Sequence, residues 1–419
     1  GVGFGEPERE WGRVIIAELV AGETRSRQIA GAPWSVAAER ATGRAVFDAV
    51  FGLGRFQPLV DEESVENVIV VGGADRVFLE HTDGSVTTGP PVAGSDQELI
   101  EWLQFIAARS EGTARPFSPA RPHLHMRLDD GSRLAAVAWV TPRPSVVIRR
   151  HRLRAVVLAD LVARGTLTPV AASFLGAAVR AGLSVVVSGP QSGGKTTTLR
   201  ALCAEIPPQE MLGTFETEYE LHLQDLPDRH PIVHAWEARP GSGEVGPDGR
   251  QAGEITLAEC LINSFRFTLT RLIVGEIRGP EVWVLIKAME SARGCLATTH
   301  AAGAVAAVEK LISCAMEIGP SVTREVAARK LATAIDLVVH LRLDTTPDTQ
   351  ATGGSARHRS VAEIIHLTPG EAATGYATTT VFSAGPDGGP ARPRVLDDGL
   401  LFLADHGFDL AGYQRELGT

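Results

Sequence analysis

Gly189-Pro190-Gln191-Ser192-Gly193-Gly194-Lys195-Thr196-Thr197 is the stretch on which the reading of this chain turns. It fits the pattern G-x-x-x-x-G-K-[ST] through Gly189, Gly194, Lys195 and Thr196. Leu183 to Ser188 ahead of it is a short β-branched run of the kind a buried parallel strand uses, and Thr198 to Leu202 behind it starts a helix. Glycines let the backbone curl until its N–H groups point at phosphate oxygens. The helix that follows offers its positive end to the same anion. The stretch therefore predicts a phosphate loop in which Gly189, Gln191, Ser192, Gly193, Gly194, Lys195, Thr196 and Thr197 hold a nucleotide. Lys195 is expected on the β- and γ-phosphates and the Thr196 hydroxyl on Mg²⁺.

The chain around this loop has 419 residues, enough for two or three domains. Its hydrophobic fraction of 44% and charged fraction of 21% are those of a soluble globular protein. A net charge of −10 argues against a nucleic-acid binder held by bulk electrostatics. Cys203, Cys260, Cys295 and Cys314 are scattered without metal-ligand spacing, which fits a reduced cytosolic compartment. No run approaches the roughly 18 apolar residues that a bilayer span needs. Glu6, Glu8 and Glu10 stand where a signal peptide would be basic, so none is expected.

Residues 1–50 read as a helical segment. An α+β domain with an antiparallel sheet is expected over 51–150, its strands at Asn67–Val71, Arg76–Glu80, Leu124–Leu128, Arg133–Val140 and Ser145–Arg149. Its helix runs over Glu98–Ala108, with Asp96 as cap candidate. A connector follows over 151–168. From Pro169 to about 345, apolar strands alternate with helices in the manner of a parallel α/β sheet. Residues 237–254 read as an exposed Gly-rich loop, 345–359 as a polar linker, and 346–419 as a carboxy-terminal extension with two strands and a short helix near Leu400.

Three stretches add chemistry to the loop. Leu272-Ile273-Val274-Gly275-Glu276 is an apolar strand ending on an acid, the place for a carboxylate that holds Mg²⁺ or orients an attacking water. Phe215 to Leu221 carries Glu216, Glu218 and Glu220, which share a face if the stretch is extended. That cluster reads either as a cation-binding site or as a solvated acidic turn. Thr298-Thr299-His300 ends another strand, and the histidine is either structural or a sensor of the γ-phosphate.

In this order the four stretches resemble the secretion ATPases of type II and type IV secretion systems and type IV pili, with their Walker A loop, Asp box, Walker B strand and His box. The resemblance is nearest to the tight-adherence (Tad/Flp) pilus branch. It extends to Phe51-Gly52-Leu53-Gly54, Arg127 to Arg133, Val147 to Arg150 and Gly165 to Pro169, and so covers roughly residues 45–345. It implies a RecA-like P-loop motor domain preceded by a smaller α+β, PAS-like domain. It also implies a homohexamer at the cytoplasmic face of the inner membrane, hydrolysing ATP with Mg²⁺ and working on membrane platform proteins. On that resemblance Glu276 is the Walker B acid, Glu216 and Glu220 are Asp-box acids, His300 is the His-box histidine, and Arg133 and Arg149 approach the γ-phosphate. The family also includes type IV secretion and conjugation ATPases. Thr217 stands where the Asp box usually has an acid, which leaves a nucleotide-binding switch with little hydrolysis as a further alternative.

Overall fold

The computed structural model describes residues 5–109, 117–150, 155–239, 241, 245–247, 249–290, 294–347, 355–370, 374–385 and 388–418. Parts of the expected connector, Gly-rich loop and polar linker lie outside these residues. The chain divides into two compact units, residues 1–152 with 346–356, and residues 153–345 with 357–419.

The first unit opens with α1 (Glu6–Ile29) and α2 (Val36–Phe51). Glu6 and Glu8 lie in the first turn of α1 and Arg27 in its last, each favourable to the helix dipole. Ser35 caps α2 by accepting a hydrogen bond from the Ala38 amide. Ile16, Val20 and Phe51 are buried together where the two helices meet. A short α3 (Gln57–Asp61) leads to β1 (Val65–Val71), β2 (Val77–His81) and β3 (Val86–Gly89), then α4 (Asp96–Arg109), β4 (His123–Arg127), β5 (Arg133–Val137) and β6 (Ser145–Arg149). The strands form an antiparallel sheet in the order β3-β2-β1-β6-β5-β4. Alternation puts Leu124, Met126, Leu134, Val146 and Ile148 on its buried face, against Leu99, Leu103 and Ile106 of α4. Ser95, not Asp96, caps α4, accepting from the Glu98 amide. Asp96 instead accepts from Gly73 N and from Arg143, tying the helix to two loops.

The second unit holds α5 (Leu158–Ala163), α6 (Pro169–Ala181), β7 (Val185–Gly189), α7 (Lys195–Cys203), β8 (Leu212–Glu216), β9 (Val233–Glu237), α8 (Leu257–Ser264), β10 (Arg271–Ile277), α9 (Glu281–Met289), β11 (Leu296–His300), α10 (Ala304–Met316) and α11 (Arg324–Ala334). It continues with β12 (Leu337–Pro347), β13 (Ser355–Pro369), β14 (Tyr376–Ser383), β15 (Arg392–Pro393) and α12 (Leu410–Leu417). One sheet runs β15-β14-β13-β12-β7-β11-β10-β8-β9. From β9 to β12 neighbouring strands are parallel, while β13–β14 and β14–β15 are antiparallel. Every residue of β7 is buried, as expected of a strand covered on both faces. Burying each of Val185, Val186 and Val187 contributes about 1.5–3 kcal/mol.

The residues expected as a carboxy-terminal extension are built into this unit from Arg357 onward. Val361, Ile364, Val381, Phe382, Leu403 and Tyr413 are buried in the same core as Phe174 and Val187. In the sheet order β13 stands next to β12, which is how this stretch joins the unit's sheet.

Candidate nucleotide-binding site

The loop after β7 makes the expected turn. Gly194 has φ +88°, a left-handed conformation that glycine takes without steric cost, and α7 begins at Lys195. Gly193 N donates to Pro190 O at 3.2 Å, closing the tip. Ser192 is left-handed as well, with φ +58°. Gln191 is exposed, Gly193 and Lys195 are buried, and Thr196 and Thr197 are half-buried.

Parallel pairing brings the other motifs to the same end of the sheet. Register sets His300 beside Gly189. The Lys195 ammonium donates to Pro190 O at 2.9 Å and lies 3.1 Å from His300 Nδ1. On the other side of the ring, Nε2 is 3.2 Å from Glu276 Oε1. This is the arrangement of a neutral imidazole that accepts at Nδ1 and carries its proton on Nε2. Burial holds the His300 pKa below the usual histidine value, and the Lys195 charge adds to that. Glu276 sits where β10 bulges against β11, between Val274 and Ile277. Burial pushes its carboxyl up, but the Arg278 guanidinium, 2.8 Å from Oε2, with the Lys195 ammonium, brings it below the usual glutamate range. Glu276 is therefore an anion that cations hold in place. Thr298 and Thr299 donate to Gly275 O and Ile277 O, stitching the two strands at the bulge.

The acidic stretch is not extended beyond β8: the strand ends at Glu216 and the chain turns. Glu216 is buried, and its Oε1 accepts from the amides of Glu220 at 2.8 Å and Leu221 at 3.0 Å. A carboxylate inside the turn draws these amides inward, so the three acids do not share a face. The turn carries Glu220 to the loop, where its Oε2 accepts from the Thr196 hydroxyl at 2.9 Å. A β-carbon at Gly275 would lie 3.0 Å from Glu216 Cγ, so close packing of β8 on β10 calls for glycine in the strand before Glu276. Thr217 is exposed.

Mg²⁺ prefers oxygen donors and commonly keeps water and phosphate among its ligands. The Thr196 hydroxyl paired with the Glu220 carboxylate is such an oxygen set, and it fits the ion. Among the described residues no group of three or more His, Cys, Asp or Glu is gathered to hold a metal, so phosphate and water would complete the shell.

Arg133 and Arg149 belong to the first unit, where β5 and β6 pair them directly. Arg127 of β4 faces Arg133 in turn, so three arginines stand in file across three strands. The sequence gives no sign of this alignment of Arg127, because register is invisible until strands are paired. Two further residues of the site carry no sequence signal for their role. Arg278 holds Glu276, and Arg359 of β13 donates from Nε to Ser192 O at 2.8 Å. All four cysteines are buried and unbonded, and burial pushes the Cys295 thiol up to about 12.

Comparison with known proteins agrees with this layout. Curated relatives include the type IV secretion system protein PtlH of Bordetella pertussis, 32% identical over 244 residues, covering 51% of this chain and 69% of that protein. A putative conjugal transfer protein of Mycobacterium tuberculosis is 27% identical over 331 residues, 76% of this chain and 86% of that one. An uncharacterised protein of Methanocaldococcus jannaschii is 28% identical over 265 residues, and there the match covers 62% of this chain but only 45% of the relative. Among solved structures, the ATPase DotB of Legionella pneumophila aligns with a TM-score of 0.53 at 16% identity, covering 76% of this chain and 81% of that one. At that identity the likeness speaks for the fold, a RecA-like domain preceded by a smaller α+β domain. No described helix is long and apolar enough to cross a membrane. The family profile described as "Type II/IV secretion system protein" matches residues 118–373, more than half of the chain, and the chain belongs to that family.

Proposed function

We propose that this protein hydrolyses ATP and drives a type II/IV secretion or pilus machine. The observation that carries the reading is the linked set of side chains at the phosphate loop: Thr196 on Glu220, Lys195 on His300, His300 against Glu276. Each partner comes from a different strand end, and each is where a nucleotide's phosphates would replace a protein contact. Lys195 would exchange Pro190 O and His300 for phosphate oxygens. His300, released, would face the terminal phosphate. Glu276, ionised and held by Arg278, is the group to orient a water for attack. Bound Mg²⁺ would neutralise charge on the phosphates, with Thr196, Glu220 and Glu276 as its protein side.

Arg133 and Arg149 are proposed to bring positive charge to the terminal phosphate from an amino-terminal unit, an effect worth about 10³- to 10⁵-fold in other phosphoryl-transfer enzymes. The assembly proposed is a homohexamer at the cytoplasmic face of the membrane, acting on a membrane platform, and the cargo favoured by the sequence resemblance is a Tad/Flp-like pilus. A second reading, a type IV secretion or conjugation ATPase, is favoured by the named relatives. Pilin and platform genes beside this one would support the first, and relaxase and coupling-protein genes the second. A switch without turnover finds less support, because the exposed Thr217 takes no part in the network. Phosphate release decides the central point. Lys195→Ala should lose nucleotide binding. Glu276→Gln should bind ATP within about threefold of the unaltered protein and hydrolyse it about 10²- to 10⁴-fold more slowly. Wild-type turnover in Glu276→Gln would sink the assignment.

A further inference from the structure

We propose that Arg359, outside every nucleotide-binding motif of the chain, is a positioning residue that holds the phosphate loop ready for its ligand. The inference rests on the nucleotide-site reading above. Arg359 belongs to β13 and stands 167 positions after the loop residue it touches. Its Nε donates to Ser192 O at 2.8 Å, and its Cδ lies 3.4 Å from where a β-carbon at Gly194 would be.

Three observations give that contact a purpose. Ser192 is in the left-handed region, which serine rarely adopts unless its surroundings impose it. The peptide joining Ser192 to Gly193 is planar, so the direction of its carbonyl fixes that of its N–H. Arg359 holds the carbonyl end, while Pro190 O accepts from the Gly193 amide at the other. The base of the arginine is also anchored. Next along the strand Ser360 and Val361 are buried, Val361 N donates to Thr166 O at 2.9 Å, and Val361 O accepts from Ala391 N at 2.8 Å. A guanidinium on a fixed strand thus grips a strained peptide at the tip of the phosphate loop and holds the turn that Pro190 O closes on the Gly193 amide. Preorganisation of this kind shows as affinity, because ordering is done before the ligand arrives.

The test is a double-mutant cycle read by calorimetric titration of Mg²⁺-ADP and by steady-state ATP hydrolysis. Arg359→Ala should weaken ADP binding about tenfold and raise the KM for ATP to match, with kcat within about twofold. Arg359→Lys, which keeps a donor and the charge, should recover part of the loss. Glycine adopts the left-handed region freely, so in a Ser192→Gly background the same Arg359→Ala change should cost less than about threefold. An equal loss in both backgrounds would mean that Arg359 does not act through Ser192, and would overturn the proposal. So would unchanged KM and ADP affinity in Arg359→Ala. If Arg359→Ala is poorly folded, the cycle is run on the same criteria with Arg359→Met, which keeps an aliphatic stem and removes the donor. If the unaltered protein binds neither ADP nor ATP, the nucleotide-site reading itself fails. If it binds both and Arg359→Ala matches it, only this inference does.

Discussion

Replacing Glu216 separates a scaffold from a catalyst. The Oε1 atom accepts two backbone hydrogen bonds, at 2.8 and 3.0 Å, from the residues that carry Glu220 to Thr196. Hydrogen bonds to a charged acceptor contribute about 1.5–3 kcal/mol each, and the residue is only 2% exposed, so water is a poor substitute. Glu216→Ala should therefore destabilise the second unit by about 3–5 kcal/mol. For a unit of this size that is a fall in Tm of about 6–20 °C, at about 2–4 °C per kcal/mol. Glu216→Gln keeps an oxygen for both amides and gives up only the charge, so its cost should be about 1–2 kcal/mol. Thermal unfolding of both variants gives the stabilities, and phosphate release gives the turnover. If Glu216 shapes the turn, Glu216→Gln retains most of the hydrolysis while Glu220→Gln loses it. A Glu216→Gln protein as inactive as Glu276→Gln, with an unchanged Tm, would refute the reasoning and make Glu216 a direct participant. A Tm for Glu216→Ala within 2 °C of the unaltered protein would refute the energetic argument.

Acid should loosen the second unit before its carboxylates titrate. Burial lowers the pKa of His300 and His340, and lowers His230 to about 4, with Arg229 adding to burial there. The folded values lie below the unfolded one, so the unfolded chain takes up protons first. Stability should be complete above about pH 6.5 and fall between 6.5 and 4, as thermal melts across that range would show. Arg271 is 2% exposed, pairs with both oxygens of Glu210 and donates to Val179 O and Gly294 O. Arg271→Ala should cost about 3–5 kcal/mol in denaturant unfolding, and near-neutral behaviour would count against the pair as a clamp. Light scattering with a non-hydrolysable ATP analogue should show the hexamer, and a strict monomer at high concentration, with and without the analogue, would tell strongly against the motor.

What could be read from sequence is what is local. The phosphate loop, the acid near the end of β10 and the histidine ending β11 each announce themselves by an apolar strand and the polar residues at its carboxyl end. Their convergence also follows, because parallel strands deliver their carboxyl ends to one side. Contacts that depend on register or on a distant return of the chain are a different matter. β3 is not legible in sequence because all its residues face solvent or nearly so, leaving no alternation to detect. Glu216 and Glu220 look equivalent in sequence, and only the turn between them makes one a buried anchor and the other a ligand for Thr196. Arg127 gained meaning only once β4 paired with β5. Arg359 sits in a polar stretch that reads as a linker, and nothing nearby points to residue 192.

The position of β7 has a consequence for how the protein is made. Its two neighbours in the sheet, β11 and β12, are among the later parts of the chain. At about 5–20 residues per second, a ribosome delivers β12 about 7–30 s after the phosphate loop. Until β11 is made the run Val185-Val186-Val187 has neither edge paired, and until β12 follows one edge stays open, a β-branched apolar segment of the kind that associates with copies of itself. Nucleotide cannot rescue it, since His300 and Arg359 are synthesised later still than the loop they touch. Synthesis is thus the stage at which this sheet is most exposed to chaperones and to aggregation. Chains that stop short of β12 should accumulate as insoluble fragments.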